Sequence, residues 1–298
     1  MASADRDARD VRTPIAGVAE RLGIPVPTIR SWERRYGFPA PARTRGRHRR
    51  YDEHEIERLR DLRDLITRGF PPAEAVRRLR SDGDGPAGGV LAGEMVQAVL
   101  GFDGAAIESS LDRAVDELGL DEAIRSVLLA SMREIGARWK AGSCDVGHEH
   151  FATEVVRAWL SRRTAPLPVS TRRDPVVLAC GPNDLHTIGL EAFALVLASR
   201  AWPTRILGAM TPTESLVVTV RSVRARAAVV TAQRSVTRAA AVGSIEAIAA
   251  IPGVGAFYAG NGFANPSVRR RLPGIFLGDD VVGAADRLVR ELTAPRPR

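Results

Sequence analysis

The chain has 298 residues and 32.1 kDa, with 45% apolar and 26% charged residues, which is enough to bury two or three domain cores and excludes a largely disordered polypeptide. The formal charge of +8 and a pI of about 10.6 point to a polyanionic partner, and two cysteines, Cys144 and Cys180, are too few for a disulfide framework. No stretch approaches the ~18 uninterrupted apolar residues of a membrane span, and the polar opening MASADRDARDVRTP is neither a signal nor a transit peptide, so a reducing, cytoplasmic setting without membrane contact is expected.

The charge is uneven. Residues 1–80 hold 19 Arg against 12 Asp and Glu, a net +7, and the other 218 residues are close to neutral. Lys140 is the only lysine, so arginine usage is partly compositional, but composition alone does not place the excess at one end. In this segment Ile15, Val18, Ala19 and Leu22 recur at i, i+3, i+4 and i+7, as one helix face requires, and Gly23 follows as a C-cap. Pro25-Val26-Pro27-Thr28 opens a second helix with Ile29 and Trp32 inward and Arg30, Arg34 and Arg35 outward. Five arginines between Arg43 and Arg50, set around Gly46, suit a two-stranded wing against phosphates. Asp52 and Glu55 form a capping box for a helix through Ile56, Leu59, Leu62 and Ile66, and a short helix over 73–79 ends the module.

Thr28-Ile29-Arg30-Ser31-Trp32-Glu33-Arg34-Arg35-Tyr36, Arg43-Thr44 with Gly46, and Arg49-Arg50-Tyr51 resemble the MerR family of winged-helix DNA-binding domains over about 70 residues. Arg47 stands where that family often has glycine. The resemblance implies a dimeric reader of double-stranded operator DNA, with the second helix in the major groove and the wings on the backbone. Thr28 and Arg30 are then the candidates for base contact, and Arg34, Arg35, Arg43, Arg45 and Arg49 for phosphate contact.

Residues 81–89, SDGDGPAGG, lack apolar periodicity and read as a linker. Four helix-period apolar faces over 90–161 predict a four-helix bundle, with Asp103 and Asp121 as N-caps. Trp139 ends one of these helices and Glu149-His150 begins the next, so an aromatic, a carboxylate and an imidazole converge at one end of the bundle. A core Trp with Glu149 on a helix dipole accounts for this stretch, and a metal site on His148 and His150 is the weaker alternative. Residues 162–174 read as a second linker.

From 175 to 298, five short apolar runs alternate with five helical patterns, which predicts a doubly wound, parallel, five-stranded Rossmann-like sheet. The whole chain is therefore expected to be a multidomain α + α/β protein: a winged helix-turn-helix head, a bundle and a sheet. Ligands bind such sheets at the carboxyl ends of the strands, where the loop after the first strand carries Asp184-Leu185-His186-Thr187-Ile188-Gly189. Asp184 can fix the His186 tautomer and leave one ring nitrogen for a metal, and Gly189 lets a bulky group approach.

This Asp-x-His-x-x-Gly pattern resembles the cobalamin-binding fold, in which the histidine is the lower cobalt ligand. The family's second motif falls at Thr231-Ala232-Gln233, with Gln for Leu, and its third at Ala259-Gly260, with Ala for the first Gly. The resemblance thus implies cofactor contacts from Asp184, His186, Gly189, Thr231 and Gly260. With it in view, the bundle resembles the cap of CarH-like photoreceptors, in which Trp139, Glu149 and His150 pack over the adenosyl group of adenosylcobalamin. Light-sensing members carry a histidine after the Trp; here it is Lys140.

The implied function is a transcriptional regulator, of repressor type and not an enzyme, that senses adenosylcobalamin. The resemblance also implies an entry for light through Co–C photolysis, and control of assembly into a homodimer or tetramer by ligand, since no heptad helix supplies a dimer seam. Lys140, Gln233 and Ala259 keep open a regulator that binds another tetrapyrrole, attached through Cys144 if linear, or no ligand. A corrinoid methyltransferase component is a third reading, which the attached head opposes.

Overall fold

The structure is a computed structural model that describes residues 13–39, 42–43, 49–51, 53–67, 70–81, 86–168, 170–171 and 173–294. It divides into two compact units at Asp82/Gly83.

The first unit is the head. β1 (Thr13–Pro14) leads into α1 (Ile15–Leu22) and α2 (Val26–Tyr36). Gly23, at φ 64°, closes α1 by returning its N–H to Glu20, and Ile24 returns to Ala19. This left-handed closure needs glycine, and it makes the tight turn between the two helices. β2 (Ala42–Arg43) and β3 (Arg49–Tyr51) pair antiparallel as the wing, and β1 adds a third strand on the other side of β3. α3 (Glu53–Thr67) and α4 (Pro72–Ser81) complete the unit, the latter longer than the expected 73–79. Val18, Leu22, Ile29, Trp32, Tyr51, Ile56, Leu59 and Leu62 form its core, each large aliphatic side chain contributing about 1.5–3 kcal/mol. The capping role expected of Asp52 lies outside the described residues.

In the second unit, α5 (Pro86–Leu100) begins inside the segment expected to be a linker. Pro86 suits a first helical turn, and a Cβ on Gly88 would lie 2.7 Å from Ser126 Oγ, so this turn packs rather than dangles. α6 (Gly104–Leu118) is N-capped by Asp103, which accepts from Ala106 N at 2.9 Å. A short α7 (Leu120–Glu122) runs through a π-helical turn (Ala123–Leu128) into α8 (Leu129–Lys140). Gly119, not Asp121, stands at the N-cap of α7; Asp121 accepts instead from Arg200 at 2.6 and 2.8 Å. α9 (Val146–Thr164) starts three residues before Glu149, because Asp145 caps it, and runs past the expected end at 161. Its last turn is held by Arg162–Glu108 (2.7 Å) and Arg163–Asp112 (2.8 Å).

The sheet follows as β4 (Val176–Cys180), α10 (Ile188–Ser199), β5 (Thr204–Gly208), α11 (Thr213–Ser222), β6 (Ala227–Thr231), α12 (Ser235–Ala249), β7 (Gly255–Ala259), α13 (Pro266–Arg269), β8 (Ile275–Phe276) and α14 (Val281–Thr293). All five strands are parallel in the order β5-β4-β6-β7-β8, so the order reverses between β4 and β6. Strand alternation splits the core. Val176, Leu178, Cys180 and Val229 face α10 and α14, in one cluster continuous with the bundle; Val177, Ala179, Ala228 and Val230 face α11 and α12. The bundle and the sheet therefore share an apolar core. Arg125–Asp280 (2.9 Å) and Arg157–Glu191 (3.2 Å) add ion pairs across the same junction.

Candidate functional site

The loop after β4 sits at the reversal of strand order, where a parallel sheet opens a crevice. Asp184 lies at its centre, with its side chain fully buried. One carboxylate oxygen accepts from His186 Nδ1 at 2.7 Å and from His186 N at 3.0 Å. The other accepts from Gln233 N at 2.5 Å and Thr237 Oγ1 at 3.2 Å. One carboxylate thus ties together the loops after β4 and β6 and the first turn of α12. Burial alone would push Asp184 up, but the bonds from His186 and Gln233 outweigh it and hold the carboxyl below its usual range.

His186 is half-exposed, and its bond to Asp184 raises it above the ordinary imidazole value against partial burial. With Nδ1 turned to Asp184, Nε2 is the nitrogen left to bind a metal. A Cβ built on Gly189 meets nothing nearer than Gln233 Nε2 at 3.9 Å, so the first turn of α10 leaves open space. Leu185, Met210 and Val236 are 65%, 53% and 73% exposed. All three adjoin the Asp184 bonds: Leu185 by sequence, Met210 through its N–H to Asp184 O (2.8 Å), and Val236 beside Thr237. Large apolar side chains left open around an imidazole suit a broad, flat, mostly apolar ligand.

The bundle contributes its end formed by α8 and α9. Trp139 is 46% exposed, and Glu149 lies beside the exposed His150 with 3.8 Å between Oε2 and Nε2. The Glu149 charge is among the smaller causes that raise His186. Arg157 donates to Glu191 Oε1 (3.2 Å) and Thr187 Oγ1 (3.1 Å) and holds α9 to the start of α10. Lys140 is exposed.

The other expected residues have these surroundings. The Thr231 hydroxyl donates to Cys180 Sγ at 3.5 Å and is buried. Gly260, at φ 101°, is buried, and a Cβ there would lie 2.5 Å from Ala232 O. The close approach of the β7 and β6 loops by itself requires glycine there. His148 caps α9 through Nδ1, which accepts from Asp145 N at 3.2 Å, and stacks on Phe102 at 4.3 Å; it is no free metal ligand. Among the described residues no three His, Cys, Asp or Glu cluster as a metal site. Cys144 Sγ faces Ile135 O at 3.7 Å. Cys180 is a buried thiol pushed up to about 11 by burial. The residue that sequence reasoning missed is Gln233. Its N–H holds Asp184 and its Oε1 accepts from Asn261 N at 3.4 Å, so it joins the β6 and β7 loops. A hollow of 220 Å³ on the outer face of α6 and α9 is lined by Trp159 and the Arg162–Glu108 and Arg163–Asp112 pairs, whose charges are already matched.

On the head, Arg30, Arg34 and Arg35 are exposed on α2, and Thr28 is half-buried at its start. Arg43 pairs in register with Arg49 in the wing, and Arg45 lies outside the described residues. Arg49 is not a free cation: it bonds to Glu33 of α2, which also accepts from the buried Tyr51 hydroxyl. Its first role is to lock the wing to the second helix.

Comparison with known proteins agrees with this arrangement. Residues 14–82 match the MerR HTH family regulatory proteins, and residues 91–164 match the B12 binding domain. The HTH-type transcriptional repressor CarH of Myxococcus xanthus is 30% identical over 213 residues, covering 66% of this chain and 71% of that protein. CarA of the same organism is 31% identical over 230 residues, 72% and 77% of the two chains. The monomethylamine corrinoid protein of Methanosarcina barkeri shares the fold, with a TM-score of 0.52 and 12% identity over 67% of this chain and 98% of that one.

Proposed function

The chain belongs to the family of the HTH-type transcriptional repressors CarH and CarA, and from that membership we propose that it is a repressor whose head binds duplex DNA and whose second unit senses adenosylcobalamin through His186. The observation that carries the reading is the Asp184–His186 pair at the strand reversal, with Nε2 directed away from its partner and open space at Gly189. The residues fit a cobalt corrinoid: an imidazole oriented by a carboxylate, with the exposed apolar side chains of Leu185, Met210 and Val236 on the adjoining segments, suits such a ring. A bound corrinoid would supply a cobalt centre able to take the His186 nitrogen and a reactive cobalt–alkyl bond.

The chain's own residues do the rest. Asp184 holds the Nδ1 proton, Gln233 and Thr237 hold Asp184, and Met210 N–H anchors the loop. In this reading Trp139, Glu149 and His150, at the end of the bundle formed by α8 and α9, would contact the adenosyl group. With a DNA-reading head attached, the output is occupancy of an operator rather than group transfer, and a coupling of 1–3 kcal/mol between corrinoid and DNA sites would give the ~5–150-fold response typical of such regulators.

The test is to mix the purified chain with adenosylcobalamin in the dark, desalt it, and record its absorbance, its size and its binding to a selected duplex, before and after illumination. Corrinoid retained by the unaltered chain and lost by His186→Ala, with a change in duplex affinity, supports the reading. Equal retention by His186→Ala overturns the assigned ligand. The illuminated arm reads whether this chain, with Lys140 after Trp139, responds to light.

A further inference from the structure

The near-neutral charge of residues 81–298 hides a division. Residues 90–161 carry twelve acids against six bases, whereas residues 175–298 carry fourteen arginines against eight acids. Many of the bundle's acids are already matched, as in Glu94–Arg113 (2.7 Å), Asp121–Arg200 (2.6 Å) and Glu134–Arg138 (2.7 Å). The sheet's excess is not.

Arg205, Arg221, Arg224 and Arg226 have no carboxylate within ion-pair distance among the described residues. They lie together at the amino-terminal edge of the sheet, opposite the His186 loop. The register Val176↔Thr204 and Val176↔Ala227 sets the starts of β5, β4 and β6 side by side. Arg205 is the second residue of β5, and Arg226 immediately precedes β6, with its N–H on Pro175 O at 2.9 Å. At about 4.8 Å per strand these two positions are roughly 10 Å apart. Arg221 stands in the last turn of α11 and Arg224 in the turn from it into β6, and Arg173, just before β4, lies exposed over Trp202.

Arg224 has an unusual backbone. At φ 52° it closes α11 in the left-handed conformation, where glycine is unstrained. Glycine could replace it there without backbone strain, so its charge can be removed without disturbing the fold.

We infer that this edge of the sheet is a second phosphate-binding surface, which takes the backbone of duplex DNA outside the stretch that the head reads. The inference rests on the DNA-binding reading above. A second copy of the chain is the lesser fit, because the bundle's carboxylates are largely engaged by its own arginines.

The test uses the full chain and two duplexes: a 20-bp sequence selected by the unaltered chain from a random pool, and a 60-bp duplex with that sequence at its centre. The variant R221A/R224G/R226Q removes three charges, and Arg224→Gly alone should melt no lower than the unaltered chain. On the long duplex the triple variant should bind about tenfold more weakly at 150 mM salt, and its slope of log K against log salt should shrink by about 2–3. On the short duplex both quantities should stay unchanged. Identical slopes for variant and unaltered chain on the long duplex would overturn the surface, and so would an equal loss on both duplexes. A change in sedimentation without DNA, with the slopes intact, would give these arginines to a second copy and overturn it too. If the unaltered chain binds neither duplex, the DNA reading itself fails, and this surface with it.

Discussion

Replacing Asp184 by Asn separates the carboxylate's charge and acceptor geometry from its volume. The side chain is buried and each oxygen accepts two bonds: two from His186 on one side, Gln233 N and Thr237 Oγ1 on the other. An amide has one acceptor oxygen, so its NH2 must face one pair of donors. Facing Gln233, it leaves that backbone N–H unpaired; the Thr237 hydroxyl still has Arg234 O at 3.0 Å. Facing His186, it orphans the His186 N–H and drives the ring proton to Nε2, the nitrogen assigned to the metal. Either way one buried donor is stranded, at about 1–3 kcal/mol. In a unit of this size that lowers the melting temperature by about 4–8 °C at the middle of the range. Loss of the orienting partner should weaken corrinoid binding by about 10–100-fold. Thermal melts of the ligand-free chain and an absorbance titration with adenosylcobalamin measure both. If D184N melts within 1 °C and binds within twofold of the unaltered chain, the network is incidental and the reasoning fails.

The glycines give a paired prediction: Gly260→Ala, meeting the Ala232 carbonyl at 2.5 Å with φ 101°, should lose about 2–4 kcal/mol in denaturant melts, whereas Gly189→Ala should fold normally and bind corrinoid less well. On the head, Arg34→Ala and Arg35→Ala should each reduce the salt slope of DNA binding by about 1, and Arg30→Ala should relax sequence preference by about 1–3 kcal/mol in a selection assay. Arg49→Ala should lower the head's melting temperature, because it leaves the Glu33 carboxylate with Tyr51 alone; an unchanged melt would restore Arg49 as a simple phosphate contact. Asp121 is held below its usual range chiefly by Arg200, against burial, so its contribution is full above about pH 4 and is lost as pH falls through the depressed folded value. For so exposed a pair, unaltered and Asp121→Asn chains should differ by under ~1 kcal/mol at pH 7, and the difference should shrink as pH falls through the depressed folded value; a pH-independent difference would contradict the assignment.

Much of this was legible because period and punctuation agreed. Gly23 after Leu22 marks the turn of the head, and strands such as 176–180 and 227–231 read as continuous apolar runs because both faces of the sheet are covered. Asp184, His186 and Gly189 were visible as a local pattern, since the chemistry falls within six residues of one loop. What stayed hidden was long-range. Asp121 looks like a cap until Arg200, 79 residues away, takes it, and the steric need for glycine at 260 appears only when the β6 loop lies against it. Gln233 reads as a departure from a motif, and only the fold shows its backbone N–H closing the Asp184 network. The segment expected as a linker at 81–89 misled because its glycines suggest slack, whereas Gly88 is required by contact with Ser126. Net charge misled likewise: a sum near zero concealed an acidic bundle beside a basic sheet.

The central claim is that His186 Nε2 is the lower ligand of a cobalt corrinoid, and electron paramagnetic resonance tests it most directly. Cobalt(II) cobalamin bound to the chain should show a three-line nitrogen splitting from one axial 14N. Protein grown with 15N-histidine should convert it to two lines, and His186→Ala should abolish it. A three-line pattern that survives 15N-histidine labelling would mean that the corrinoid's own base stays on the metal, and the account of the site would be wrong.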